Sequence, residues 1–184
     1  KKYLFIKNEI NNLSLEKTEF KMGFSKDNKK SISIKGFYRA NDNLLQKFNF
    51  KNSNERSLEK FQINGDFDGE IFIPFINFSS KNKTVNINTL FEMNEDEINL
   101  KKLILKEGKN KIDINNLSLN SKKLVKLDNI FVKTFFEGKY NNDFKLSLGK
   151  TINIEGVKYD ASNLTKLLEQ NNNSDFLKNI NKEI

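Results

Sequence analysis

Two acidic clusters are the places where this sequence gathers groups that could do chemistry. The first runs from Asp66 to Glu70 and could offer carboxylate ligands to calcium. It lacks the alternating oxygen ligands and the closing glutamate of a calcium-binding loop. The second runs from Asn94 to Glu97 and is the densest acidic run in the chain. Both are interpreted as solvated turns, and no metal or cofactor is predicted.

The residue types that the chain lacks exclude several classes of site. Histidine, cysteine and tryptophan are absent. The chain therefore has no disulfides, no thiolate metal site and no Ser-His-Asp or Cys-His catalytic set. It also lacks a P-loop and a dinucleotide-binding glycine pattern. We expect a protein that is not an enzyme. An enzyme of another kind would need clustered carboxylates with shifted pKa values in a cleft.

The net charge of +8 comes from lysines scattered along the chain. Scattered lysines and abundant asparagines are typical of solvent-facing positions, whereas a nucleic-acid site needs a basic patch with stacking aromatics. The phenylalanines instead alternate with polar residues, as on the buried face of a strand. No nucleic-acid partner is predicted.

Apolar residues recur at every second position along most of the chain, and this alternation predicts β-strands. It is clearest between residues 128 and 158, where strands should be joined by turns at Gly138 and at Gly149, the latter with a positive φ. About a dozen such strands, separated by turns roughly every 8 to 12 residues, predict an all-β fold. We expect a twisted antiparallel meander sheet, open and groove-forming, with a short C-terminal α-helix.

The domain organisation follows from where this spacing changes. After Tyr159 the apolar residues Ala161, Leu164, Leu167 and Leu168 have helical spacing, and Asp160 could cap the helix. Ser174 could begin a last helical turn. We expect one β-rich segment, residues 1–184, of a longer protein, with strands in 1–158 and a helical segment in 160–184. No signal peptide or membrane span is predicted within it.

Two stretches depart from simple alternation. The apolar run from Glu70 to Phe78 contains Pro74, the only proline, which predicts an edge strand, a bulge or a crossing between strands. The sequence from Ile10 to Leu15 recurs letter for letter from Ile114 to Leu119, with a related pattern from Leu127 to Val132. Its step of three would switch faces unless the polar pair forms a bulge or tight turn.

The apolar side of such a sheet must be covered by something. A second sheet would give a closed β-sandwich, suited to binding a glycan or a protein. An open sheet would leave an apolar trough for acyl chains, worth roughly 0.8 kcal/mol per buried CH₂. The residues predicted to line that trough, or else to form an ordinary core, are Ile130, Val132, Phe136, Phe144, Leu146, Leu148, Ile152 and Ile154.

The segment from Gly156 to Leu164 resembles a strand-to-helix pattern, G-x-x-F-D-A-S-x-L-L, of AsmA-like and YhdP-like bacterial envelope proteins related to TamB. Gly156, Tyr159, Asp160, Ala161, Ser162 and Leu164 match it, whereas Thr165 replaces the second leucine. The resemblance implies a periplasmic section of a protein anchored in the inner membrane by a helix outside this chain. It further implies a sheet that shields phospholipid acyl chains on their way to the outer membrane, without catalytic residues.

Overall fold

The computed structural model describes residues 10–25, 29–55, 57–80, 83–121, 123–149 and 151–163. Ten long strands form one antiparallel sheet in the order β1-β2-β3-β4-β7-β8-β9-β10-β11-β12, and two short ones form a separate pair, β5-β6. Their bounds are β1 Leu13–Phe24, β2 Lys30–Ala40, β3 Gln46–Glu55, β4 Leu58–Asp68, β5 Phe72–Ile73, β6 Phe78–Ser79, β7 Thr84–Met93, β8 Glu97–Glu107, β9 Asn110–Asn120, β10 Lys123–Phe136, β11 Lys139–Leu148 and β12 Ile152–Lys158.

The predicted fold class is confirmed: the chain forms an open antiparallel meander that is not closed on itself. Neighbouring strands pair through hairpins except where β5 and β6 intervene between β4 and β7. The described residues do not form the two packed sheets of a sandwich. The helical segment was predicted for 160–184, but residues 160–163 form a turn rather than a helix, and the residues from 164 onwards lie outside the described part of the chain.

The step of three in the repeated pattern is resolved by a line of bulges across β8, β9 and β10. Asn116 has a φ of 50°, and its side chain donates to Asp128 in β10 at 2.7 Å. Lys101 in β8 is the extra residue where the β7-β8 register shifts. Each extra residue returns the following leucine to the side of the sheet that it would otherwise leave, because a bulge shifts alternation by one position.

The first copy of the repeat has a different structure, since only its last three residues lie in β1. The backbone N–H groups of Asn11 and Asn12 donate to the side chain of Asn41, at 2.9 and 3.1 Å. Strand β1 runs from Leu13 to Phe24, with a register shift between Glu16 and Glu19. The same hexapeptide therefore adopts two different structures, and the neighbouring strand determines which one forms.

The turns follow their predictions in part. Glu137 and Gly138 take positive φ angles of 51° and 77°, as a tight hairpin needs. Gly149 lies outside the left-handed region, so the positive φ predicted there is wrong. Its N–H donates to the carbonyl of Thr151 at 3.0 Å.

The proline-containing run forms a cap, defined here as residues 69–80. Pro74–Ile76 is a 3₁₀ turn flanked by the two-residue strands β5 and β6, and Asn77 ends it in the left-handed conformation. Of the three predicted possibilities, a crossing comes closest, because the segment leaves β4 and folds over one face of the sheet before β7 begins. The buried core lies between this cap and the sheet.

Candidate functional site

One face of the sheet, named here the apolar face, carries an almost unbroken row of hydrophobic side chains from β1 to β12. The register places one residue of every long strand directly beside the next along this row. In strand order the row is Phe20, Ile34, Phe50, Ile63, Thr89, Leu103, Ile114, Ile130, Leu146 and Ile154. Thr89 is the one polar member, and its hydroxyl donates to the carbonyl of Lys102, leaving its methyl to the row.

The opposite face, named here the polar face, has a neighbouring row of a different character. One residue along each strand, the register aligns Glu19, Lys35, Asn49, Asn64, Asn88, Ile104, Asp113, Phe131, Lys145 and Glu155. Lysines and carboxylates pair across it. Lys21 and Lys35 both bind Glu19, at 2.8 and 2.6 Å, and their hydrogen bonds lower its pKa to about 2. Such exposed pairs favour solubility more than stability.

The cap covers the apolar face where β7 to β11 approach it. Ile71, Ile76 and Phe78 of the cap are buried against residues of four strands. Those strand residues are Val85, Ile112, Val132 and Phe144. Burial of this set makes the capped region an ordinary hydrophobic core.

Hydrogen bonds from β11 hold the cap down. Asn142 is fully buried and donates to the carbonyl of Ile76 at 2.7 Å and to the hydroxyl of Thr134 at 2.8 Å. Its side-chain oxygen accepts from the backbone N–H of Asp160 at 2.9 Å. All the polar atoms of one buried amide are thus used to join three separate segments.

The chain that follows β12 closes over the cap. Tyr159 packs its ring edge-on to Phe144, with centroids 5.2 Å apart, and donates its hydroxyl to the carbonyl of Phe75 at 3.2 Å. The carboxylate of Asp160 accepts from Asn77 and from Asn141, both at 3.1 Å. We name this group the latch: Asn141, Asn142, Tyr159 and Asp160.

The latch shifts the pKa values of its two titratable groups in opposite directions. Hydrogen bonds from Ser162, and then those from Asn77 and Asn141, hold the pKa of Asp160 well below its usual range. Burial raises the pKa of Tyr159, and the nearby charge of Asp160 raises it further. Both groups therefore keep the protonation state that their hydrogen bonds require at neutral pH.

Away from the cap, the apolar face is exposed at the two edges of the sheet and half-buried between them. In β1 the side chains of Phe20, Met22 and Phe24 are 56%, 51% and 71% exposed. At the other edge Ile152 and Ile154 are 42% and 48% exposed. A line of aromatic contacts fills the space between strands here, including Phe61 stacked on Phe91 with centroids 4.8 Å apart. The open surface reaches both edges of the sheet.

The structure places the predicted trough residues in three settings. Val132 and Phe144 are buried beneath the cap, so they belong to the closed core instead of an open surface. Ile130, Leu146 and Ile154 lie side by side in the central row, with Leu148 paired to Ile152 further along. Phe136 lies at the end of β10, paired with Lys139 and exposed. Five of the eight predicted positions thus share one continuous surface.

Sequence reasoning missed the cap and most of the latch. Tyr159, Asp160 and Ser162 were noted only for their resemblance to a known pattern, and Asp160 as a helix cap. Pro74 followed by Asn77 was a visible sign of a turn, and Asn141-Asn142 a visible interruption of alternation. Nothing in the local pattern connects these two signs, because the contact joins residues far apart in the chain.

The site has the means for passive binding of apolar groups. Among the described residues, no group of three or more His, Cys, Asp or Glu side chains is arranged to hold a metal ion. No helix in the described ranges has the length and apolar character of a membrane span. The apolar face provides hydrophobic area, and the polar face behind it carries charged side chains.

Comparisons of the chain with protein-family models, with curated proteins and with solved structures give no match.

Proposed function

We propose that this chain is a non-enzymatic section of a bridge-like lipid-transfer protein of the bacterial envelope. Its apolar face shields phospholipid acyl chains between the inner and outer membranes while the headgroups stay in water. The observation that carries the proposal is the central row, which is hydrophobic apart from Thr89 and is exposed at both edges of the sheet, at Phe20 and Ile154. Exposed apolar surface of this extent marks an interaction site.

The dimensions of the row suit acyl chains. Ten strands spaced about 4.8 Å apart give a row roughly 43 Å long. An acyl chain occupies half of a hydrocarbon core about 30 Å thick, so roughly 15 Å. A lipid lying along the row would therefore contact several strands and could pass from one to the next without meeting a charge.

The position of the cap is a second observation that supports the proposal. It closes the apolar face near one end of the strands and leaves the central row free at both edges of the sheet. Among the described strands, β1 and β12 lie at the two edges of the sheet. Further strands of a longer protein could extend the row at either edge, which agrees with the resemblance to AsmA-like proteins. An inner-membrane anchor would lie outside this chain.

The test is to count phospholipids bound to the purified chain by native mass spectrometry. We expect bound phospholipid with the unaltered chain and a severalfold loss with Leu146→Lys, because an ammonium group in the central row cannot be solvated beneath an acyl chain. The matched control is Leu90→Lys, which makes the same change on the polar face, where Leu90 pairs with Lys102.

Circular dichroism separates loss of binding from loss of folding in both variants. Equal phospholipid in Leu146→Lys and Leu90→Lys would contradict the proposal, as would a chain that carries no phospholipid after gentle purification from membranes. Loss of the β spectrum in Leu146→Lys alone would assign Leu146 to a core that the sheet needs to fold.

A further inference from the structure

The apolar face has a second row of aligned residues, named here the terminal row, at the strand ends that lie away from the cap. From β1 to β10 the register aligns Phe24, Lys30, Asn54, Glu59, Met93, Ile98, Leu119 and Leu124. This row is hydrophobic except on three neighbouring strands. There Lys30 of β2, Asn54 of β3 and Glu59 of β4 stand side by side.

Two opposite charges thus lie on the side of the sheet that is otherwise hydrophobic. Lys30 continues the alternation of Ile32 in β2, and Glu59 continues that of Phe61 in β4. In a sheet with one solvated face, charged side chains are expected on that face and not on the apolar one. The pair therefore departs from the pattern that the rest of the terminal row follows.

Neither charge is neutralised by a described residue. The residue before Lys30 is already paired, because Lys29 binds Glu55 at 2.8 Å. The side chains of Lys30 and Glu59 have no hydrogen-bond or ion-pair partner within the described ranges. Lys30 is exposed, and Asn54 and Glu59 are half-buried. Both charges are therefore available to a ligand.

The spacing of the two charges suits a ligand that carries both signs. Lys30 and Glu59 are two strand spacings apart, roughly 10 Å at about 4.8 Å each. A phosphate beside Lys30 and an ammonium beside Glu59 would both be paired with an opposite charge. Asn54, between them, has a side-chain amide that can donate to the phosphate and accept from the ammonium. A headgroup with a phosphate and no ammonium would instead meet the carboxylate of Glu59.

The position of this group suits the headgroup of a lipid whose tail lies on the apolar face. From Glu59 to Ile63 of the central row, β4 advances four residues, roughly 13 Å at about 3.3 Å per residue. An acyl chain of roughly 15 Å that starts at the terminal row therefore reaches the central row. The cap packs on Val85, at the other end of the β4-β7 pair, so it leaves this end free.

We infer that Lys30, Asn54 and Glu59 form a headgroup site that selects zwitterionic phospholipids, with Lys30 on the phosphate and Glu59 on the ammonium. The inference rests on the proposed function, because it needs acyl chains on the apolar face. It adds a preference among phospholipids that the hydrophobic central row alone does not supply.

The test is a competition between two phospholipids that have the same acyl chains. Delipidated protein is incubated with equal amounts of phosphatidylethanolamine and phosphatidylglycerol, and native mass spectrometry gives the ratio of the two lipids bound. We expect Glu59→Lys to lower the ratio of phosphatidylethanolamine to phosphatidylglycerol severalfold. The matched control is Glu155→Lys, which makes the same change of net charge on the polar face and should leave the ratio as it is. Equal changes in the two variants would overturn the inference.

Exchanging the two charges provides a second measurement at unaltered net charge. A chain with both Lys30→Glu and Glu59→Lys still presents one charge of each sign, so its lipid ratio should return to that of the unaltered chain. A ratio that stays at the value of Glu59→Lys would count against a site that reads both charges. Circular dichroism checks the fold, and if Glu59→Lys loses its β spectrum, Glu59→Gln with Glu155→Gln as its control makes the same comparison with a smaller expected change.

The headgroup site and the proposed function fail in different ways. Phospholipid bound at a ratio that does not respond to Glu59 would reject the headgroup site and keep lipid binding by the apolar face. An unaltered chain that binds neither phospholipid would reject both.

Discussion

The capped and open regions of the apolar face are built from the same alternating strands but differ in what covers them. Beneath the cap, Val85, Ile112, Val132 and Phe144 are buried on a face whose opposite side is polar. In the edge strand β1 the same face of the sheet carries Phe20 and Met22, which are exposed. The cap covers the first region and not the second, although the sheet continues through both without a break.

This difference separates folding from binding within one sheet. Closely packed core residues supply most of the stability of a small domain, and exposed apolar residues supply little. The capped region can therefore hold the sheet together while the open region stays free for a ligand. The comparison predicts that substitutions in the two regions have very different effects on stability, although they remove the same kind of side chain.

The largest expected effect is at Phe144. Truncation to alanine removes a ring that contacts both the cap and Tyr159. We expect Phe144→Ala to lower the free energy of unfolding by about 3 to 5 kcal/mol. Phe20→Ala, its counterpart on the open side, should lower it by about 0.5 kcal/mol. Urea unfolding followed by circular dichroism measures both values.

Similar losses in the free energy of unfolding for the two variants would contradict the difference between the capped and open regions, because they would mean that something covers the open region in solution. A small loss for Phe144→Ala would instead mean that the cap does not pack as the structure has it.

The sequence was informative about strands and much less about burial. Alternation is local, so Ile130, Leu146 and Ile154 could be assigned to one face from their spacing alone, and the register confirms that they are neighbours. Burial of Val132 and Phe144 depends on the cap, which contacts β11 across a separation of 66 residues between Asn142 and Ile76. Spacing within a strand carries no information about such a contact.

The repeated hexapeptide shows the same limit on a smaller scale. Its second copy lies in β9 directly opposite the related pattern of β10, so that Asn116 and Asp128 meet and the bulges align. Its first copy meets Asn41 and forms a turn-like connection into β1. The same letters offered a bulge or a tight turn, and the neighbouring segment decides between them.

A smaller effect, confined to the capped side, is expected at Asn142. Asn142→Ala would leave the carbonyl of Ile76 and the N–H of Asp160 without their partners. We expect a loss of about 2 kcal/mol in the free energy of unfolding, because buried polar groups that lose their hydrogen bonds keep the cost of desolvation. Asn86→Ala, an exposed asparagine of β7 whose side chain bonds Asp66, is the control and should cost less than about 1 kcal/mol.

Urea unfolding again provides the measurement, and proteolysis adds its location. Cleavage within residues 69–80 should become faster in Asn142→Ala than in Asn86→Ala, because the cap loses its main tie to β11. Unchanged cleavage together with lower stability would show that Asn142 supports the sheet and not the cap.

The smallest expected effect on the free energy of unfolding is that of Asp160→Asn, and this effect should depend on pH. The pKa of this carboxyl is held well below its ordinary value of 3.8 by hydrogen bonds from Ser162, Asn77 and Asn141. A carboxylate whose pKa is lower in the folded protein stabilises that state above the ordinary pKa, and this contribution is lost as pH falls through the folded value. At pH 7, Asp160→Asn should therefore cost about 1 kcal/mol, discounted for the partial exposure of the group.

The cost of Asp160→Asn should stay constant from pH 7 down to about pH 4 and then shrink as the unaltered chain also becomes protonated. Urea midpoints of the two chains across this range measure the difference, with Asp42→Asn in the exposed turn after β2 as the control. A difference that stays constant below pH 4 would mean that the pKa is not lowered in solution. Because the carboxylate accepts from Asn77 of the cap, that outcome would mean that the charge of Asp160 adds little to the latch, and it would leave the open region of the apolar face unaffected.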